Sequence, residues 1–307
     1  MWSLNIMSLL MGCQVEKSTE VLDTGTPPIE SMAMEFTFSI AILADPHISG
    51  TPEHSQRLQE AIAWINEHQE SRQIEVVPVL GDVGWGVGLS EAKGLLDQLQ
   101  MPYVPLIGDN EVHFGDEQSF GDIFAPQFER LRSDFEDWNF NGDAVWNPEE
   151  QKDSYFYNSA FTHKGLRFIS LDWAARTSSA LLSELGYLHN FENASWPFFE
   201  EEMHALQNQG KQSSIFLSHI PMFIGSFDLA QMTAIEGLTT VYDEQIYANF
   251  AGHLHVNVED LNLDRGYDVF VTDATWDDVI TVRMIDVYSN GVDFAFEQEL
   301  VEFEVSQ

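Results

Sequence analysis

Five short apolar runs in this 307-residue chain each stop at a carboxylate, an amide or an imidazole, and that recurrence constrains the fold more than any other feature. FTFSIAIL (36–43) leads into Asp45 and His47, IEVVPVL (74–80) into Asp82, and YVPLI (103–107) into Gly108-Asp109-Asn110-Glu111. SIFLS (214–218) leads into His219, and IYANFA (246–251) into His253 and His255. Between the first three lie segments of helical period: Leu58, Ala61, Ile62 and Ile65 share one face of 52–69, and Ala92, Leu95, Leu96 and Leu99 one face of 90–99. The pattern predicts a βαβαβ unit with parallel strands and right-handed crossovers. Pro78 and Pro105 call for bulges or sheet edges. Further strands are expected at 166–171, 269–272 and 280–288, with the last ones antiparallel because only turns such as SNG (289–291) separate them.

Open α/β sheets bind ligands beyond the carboxyl ends of their strands, so parallel neighbours would gather these side chains at one edge. A single Asp or Gly-Asp-Asn after a strand serves a turn equally well. The ordered set calls for more. Carboxylate and amide oxygens mixed with imidazoles suit Mn, Fe or Zn better than Mg or Ca. About seven donors, one of them placed to be shared, suit two ions about 3.5 to 4 Å apart, the arrangement of phosphoryl-transfer sites. The charge balance bears on partners. Fifty acidic against 13 basic residues leave −37, which excludes a nucleic-acid-binding surface and repels anionic substrates. A phosphate-handling site in such a chain needs a strong local positive source.

These motifs resemble the calcineurin-like metallophosphoesterase superfamily, which includes purple acid phosphatases and cyclic-nucleotide phosphodiesterases. Its Asp-x-His, Gly-Asp, Gly-Asn-His-Asp/Glu, His and Gly-His-x-His series is matched by Asp45-Pro46-His47, Gly81-Asp82, Gly108-Asp109-Asn110-Glu111, His219 and Gly252-His253-Leu254-His255. The resemblance covers about residues 36 to 290. It implies an α/β fold in which two mixed β-sheets form a central sandwich flanked by helices, a four-layer α/β/β/α arrangement. It also implies two divalent or trivalent metal ions. Asp45, His47 and His255 would hold one, His219 and His253 the other, and Asp82 would bridge them. The implied reaction is hydrolysis of phosphate mono- or diesters by a metal-bridging hydroxide.

The third motif departs from the family pattern. Aligned without a gap, Asp109 takes the position of the Asn ligand and Asn110 that of the His associated with the leaving group. A loop one residue longer would make Asn110 the ligand and Asp109 its neighbour; the gapless version also matches Glu111 to the final acid. An amide can hydrogen-bond a phosphate oxygen but cannot protonate an alkoxide, so substrates with good leaving groups are expected. His113 is a second candidate for catalysis. The replacement also leaves open an alternative function, a non-catalytic metal-binding scaffold of the same fold.

Three regions are expected along the chain: a lipoprotein-like signal segment at 1–13, a flexible tether at 14–34 and the catalytic domain at 35–307. Leu9-Leu10-Met11-Gly12-Cys13 resembles a bacterial lipoprotein signal with Cys13 as the lipidated residue, although no Lys or Arg precedes it. An extracytoplasmic monomer follows, touching membrane only through that anchor and acting on a small phosphorylated substrate. His54, His68, His163, His189 and His204 read as surface residues, and Asp172 as a cap or turn. The 171–199 segment is long enough to rim the metal edge with Trp173, Tyr187, Phe191 and Trp196, and Arg176 within it is a candidate contact for substrate phosphate.

Overall fold

The computed structural model describes residues 33–177, 184–261 and 265–305. The 1–13 segment with Cys13, and all of the expected tether except Ala33 and Met34, lie outside the described residues. The first strand and helix are β1 (Glu35–Ile42) and α1 (Pro52–Arg72), followed by β2 (Ile74–Val79), α2 (Val87–Leu96) and β3 (Tyr103–Pro105). β1, β2 and β3 pair in parallel, as the alternation of runs requires. Pro52 sits in the first turn of α1, where its missing N–H costs nothing. The predicted Leu58, Ala61, Ile62 and Ile65 are its buried face, and Gln73 ends it in left-handed geometry with φ 52°.

The chain continues through α3 (Asp109–His113) and α4 (Glu117–Asp134) into β4 (Glu136–Asn141), β5 (Ala144–Asn147), β6 (Lys152–Tyr155), β7 (Asn158–His163) and β8 (Leu166–Leu171). It closes with α5 (Ser195–Ala205), β9 (Ser214–Ser218), α6 (Leu229–Thr239), β10 (Ile246–Ala251), β11 (Val258–Asp260), β12 (Asp268–Val271), β13 (Val279–Ser289) and β14 (Phe294–Glu304). One sheet has the order β14-β13-β1-β2-β3 and the other β11-β12-β10-β9-β8-β7-β4, with β5 and β6 as a separate ribbon.

Both large sheets are mixed. β13 joins β1 and β14 antiparallel, while β8, β9, β10 and β12 run parallel. The period-2 alternation of side chains sets the layers. Ile215 and Leu217 of β9 face the core shared with Phe38 and Ile40 of β1, whereas Phe216 faces the cluster that α5 and α6 cover with Phe199 and Ile235. α1 packs on β1, β2 and β13 from the opposite side. The result is the expected helix, sheet, sheet, helix layering.

Several local expectations shift. Pro105 lies on the edge strand β3, but Pro78 is in the interior strand β2, where its carbonyl accepts from the Leu43 N–H at 3.0 Å. β12 pairs parallel with β10, although the late strands were expected to be antiparallel. α4 carries Pro126 in its interior.

Candidate metal centre

The carboxyl ends of the two sheets are tied directly to each other. The His219 imidazole meets the Leu80 carbonyl at 2.8 Å, the Thr275 N–H donates to Ala44 at 2.8 Å, and the His253 N–H donates to the Asp45 carboxylate at 3.0 Å. His253 and Asp45, which meet here, lie 208 positions apart in sequence. Asp45, His47, Asp82 and His255 form one group, and Asp109, His219 and His253 a second, each with donor atoms within 4.8 Å of one another.

Five of these seven residues hold backbone conformations that non-glycine residues seldom adopt: Asp45 (φ 48°), His47 (52°), Asp82 (48°), His253 (72°) and His255 (50°). Left-handed residues at strand ends turn side chains out of the pleat toward a common point, and such strain clusters at functional sites. Three motif glycines make the convergence possible. A β-carbon on Gly81 would meet the His219 ring at 2.6 Å, one on Gly108 would overlap Asp82, and one on Gly252 would overlap the Asp45 carboxylate. Each glycine makes room for a ligand that belongs to a different motif.

Asp82 joins the two groups. Its carboxylate lies 3.1 Å from His47 Nε2 and 3.5 Å from His219 Nε2. Asn110 holds it in place, donating its backbone N–H at 2.9 Å and its side-chain amide to the two oxygens. The structure groups Asp109, and not Asn110, with the imidazoles: Asp109 Oδ1 is 2.7 Å from His219 Nε2 and 3.1 Å from His253 Nδ1. Glu111 is buried and clamps the loops, accepting from Gly84 N at 2.8 Å and Gly108 N at 2.7 Å. Burial and the Asp82 charge push its carboxyl up to about 8.

The donor set fits a metal ion. Leu80 O can only accept, so the hydrogen of a neutral His219 is on Nδ1 and a lone pair on Nε2 faces a carboxylate oxygen 2.7 Å away. Two acceptors that close need a positive species between them. His47 Nε2 is likewise buried without a hydrogen-bond partner. In the metal-free protein protons take that part. Burial opposes charge on His47, yet Asp45 and Asp82 raise its pKa to about 9, and Asp82, Asp109 and Asp45 raise that of His219 against the same opposition. Burial alone would raise Asp45 and Asp109, but the surrounding imidazoles hold both below the usual carboxylate range.

Other candidates sit elsewhere. His113 is exposed at the end of α3, where its ring meets Phe114 at 5.5 Å, outside both donor groups. Arg176 does not face a substrate. It is buried, with Nη1 2.5 Å from Asp172 Oδ1 and Nε 3.3 Å from Glu117, so Asp172 is half of an ion pair and not only a turn residue. Asp172 stands four residues before Arg176 in the sequence, whereas Glu117 is 59 residues away and left no signal. His189, expected on the surface, is buried; burial and Arg176 lower its pKa to about 3. Trp173 packs against Phe199 and Phe227 in the core, and Trp196 against Phe199. Sequence reasoning missed Trp85 and Trp276, whose rings contact His47; closeness to Asp82 was the only available signal for Trp85.

The family model of the calcineurin-like phosphoesterases matches residues 38–257, a span containing all seven donors. The chain belongs to this family. Comparison with curated proteins found no match. Among solved structures, TT1561 of Thermus thermophilus is similar over 88% of this chain and 99% of its own, at 9% identity and a TM-score of 0.48. The sulfate thiohydrolase SoxB of the same genus and species is similar over 88% of this chain at 10% identity and a TM-score of 0.48, and this chain spans only 57% of it. A mutant cold-active protein tyrosine phosphatase aligns over 85% of this chain and 80% of its own at 14% identity and a TM-score of 0.35. The family membership rests on the family model and on the motif series.

Gly108 has φ −109°, which any residue can adopt, so Gly108→Ala isolates the clash with Asp82. The variant is expected to retain less metal than the parent by elemental analysis. Gly94→Ala, with open space around it, is expected to retain the parent's content. Asp172→Ala leaves the buried Arg176 charge with Glu117 and the Ala174 and Tyr155 carbonyls, and urea unfolding is expected to show a loss of about 3 to 5 kcal/mol.

Proposed function

We propose that this protein hydrolyses phosphate mono- or diesters at a dinuclear metal site. The observation that carries this reading is the pair of donor groups, one of four residues and one of three, sharing the carboxyl edge of two sheets. Asp45, His47 and His255 would hold one Mn, Fe or Zn ion; Asp109, His219 and His253 the other; Asp82, between His47 and His219, would contact both. Bound there, the ions would supply Lewis-acid stabilisation of phosphoryl charge and a nucleophile formed from water at neutral pH.

The chain's own residues set the rest. Asn110 orients Asp82 with two hydrogen bonds and offers no proton to a leaving group. General acid catalysis is worth about 10² to 10⁴ in rate, so substrates whose leaving group departs unprotonated are favoured. That same residue supports a second reading, a metal-binding scaffold that has lost turnover. A lipid anchor at Cys13 and an extracytoplasmic location belong to the proposal on the strength of the Leu9 to Cys13 motif, and membrane fractionation of Cys13→Ser against the parent tests them.

Assays of p-nitrophenyl phosphate and its bis ester with added Mn are expected to show turnover that a chelator abolishes and that Asp82→Ala reduces at least about 10²-fold. Two bound metals without turnover would favour the scaffold; unchanged activity in Asp82→Ala would refute the site.

Metal uptake should also release protons. Metal needs the imidazole lone pairs, and the pKa of about 9 at His47 means that ring is protonated at neutral pH. Affinity is therefore expected to rise from pH 6.5 to 9, with proton release measurable by calorimetry in buffers of different ionisation enthalpy. Metal-free stability runs the other way. The His47 contribution is complete below about 6.5 and is lost as pH rises through about 9.

A further inference from the structure

Aromatic rings flank the donor cluster in a chain whose net charge is −37. Trp85 meets His47 edge-on at 5.3 Å, and Phe114 stacks on Trp85 at 5.1 Å with 23° between the rings. On the other flank Trp276 stacks on His47 at 5.7 Å and meets His255 edge-on at 5.5 Å. A continuous aromatic wall thus runs from Phe114 across His47 to Trp276. Phe114 itself is 55% accessible, and apolar side chains near Trp85 and His255 in sequence are exposed too: Val87 is 82% accessible, Val256 46% and Leu254 39%. Each of these four lies within five residues of a donor.

Core packing explains buried aromatic rings but not this exposure, because an apolar side chain left in water forgoes the burial that would stabilise it. Cations give no rival explanation. Arg57 donates to the Trp276 carbonyl and pairs with Asp278 at 2.7 Å, so the guanidinium beside the wall is already committed. A substrate with several phosphates would oppose the −37 charge and, among the described residues, finds the nearby Arg57 already paired. A planar apolar group beside a single phosphate meets ring faces instead.

We infer that the wall formed by Trp85, Phe114 and Trp276 selects aryl phosphate esters, holding the aromatic group of the substrate while its phosphate lies at the donor cluster. The inference rests on the phosphoesterase reading and deepens it. In the reaction, water oxygen bonds to phosphorus, the bond from phosphorus to the aryl oxygen breaks, and the aryloxide leaves with that electron pair and takes a proton from solvent. A phenol with a pKa of about 10 leaves as its anion far more readily than an alcohol, which suits a site where Asn110 offers no proton. The binding wall and the missing acid point to one substrate class.

Phosphonates test binding apart from turnover. With the metal-loaded protein, phenylphosphonate is expected to bind about tenfold more tightly than methylphosphonate by calorimetry, the size of effect a buried aromatic contact supplies. Phe114→Ala should close most of that gap, and Phe114→Tyr should restore it. Phe114 is more than half exposed, so its truncation leaves the core intact. Hydrolysis of phenyl phosphate should exceed that of ethyl phosphate in kcat/KM, with the Phe114→Ala loss larger for the aryl ester. Equal affinity for both phosphonates, or a gap that persists in Phe114→Ala, would overturn the aryl assignment while leaving the phosphoesterase reading intact. Failure of the metal-loaded protein to bind either phosphonate would overturn both.

Discussion

Asp82 lies between His47 and His219, and most of the site's architecture serves to put it there. Its own backbone is left-handed, Gly108 leaves the space it fills, Asn110 donates to both of its oxygens, and its main-chain carbonyl accepts from His47 N at 2.9 Å. Together these contacts hold its carboxylate 3.1 Å from His47 Nε2 and 3.5 Å from His219 Nε2. Glu111 acts one step further out, fastening Gly84 and Gly108 so that the second and third loops keep their spacing.

Collecting Asp45, Asp82 and Asp109 in a dry edge is costly, because each buried charge forfeits several kcal/mol of hydration unless it is compensated. In the metal-free protein the compensation comes from imidazolium groups, which is why His47 and His219 titrate above the usual range. The same geometry asks for a metal. A metal bound there would be a local positive source within a chain of charge −37.

The layering and the meeting of the strand-end side chains at one edge were legible in the sequence because both follow from strong patterns. Apolar runs specify buried strands, and the residue just past a parallel strand is bound to the carboxyl edge. What escaped has weaker signals. β4 reads Glu-Asp-Trp-Asn-Phe-Asn, with too little apolar content to mark a strand, and it owes its place to pairing with β7. α3 is five residues of Asp109 to His113, a turn sequence that became helical when Glu111 anchored its start. Arg176 and His189 were misread because burial inside a long insertion leaves no periodic trace in the sequence. The left-handed conformations of Asp45 and His255 are equally silent, since nothing in their identity announces a positive φ.

The account depends most on two ions sharing Asp82. Anomalous diffraction from crystals of the Mn-loaded protein addresses that directly. Two peaks are expected about 3.5 to 4 Å apart, one among Asp45, His47 and His255, the other among Asp109, His219 and His253, with Asp82 between them. A single peak, or peaks distant from Asp82, would contradict it.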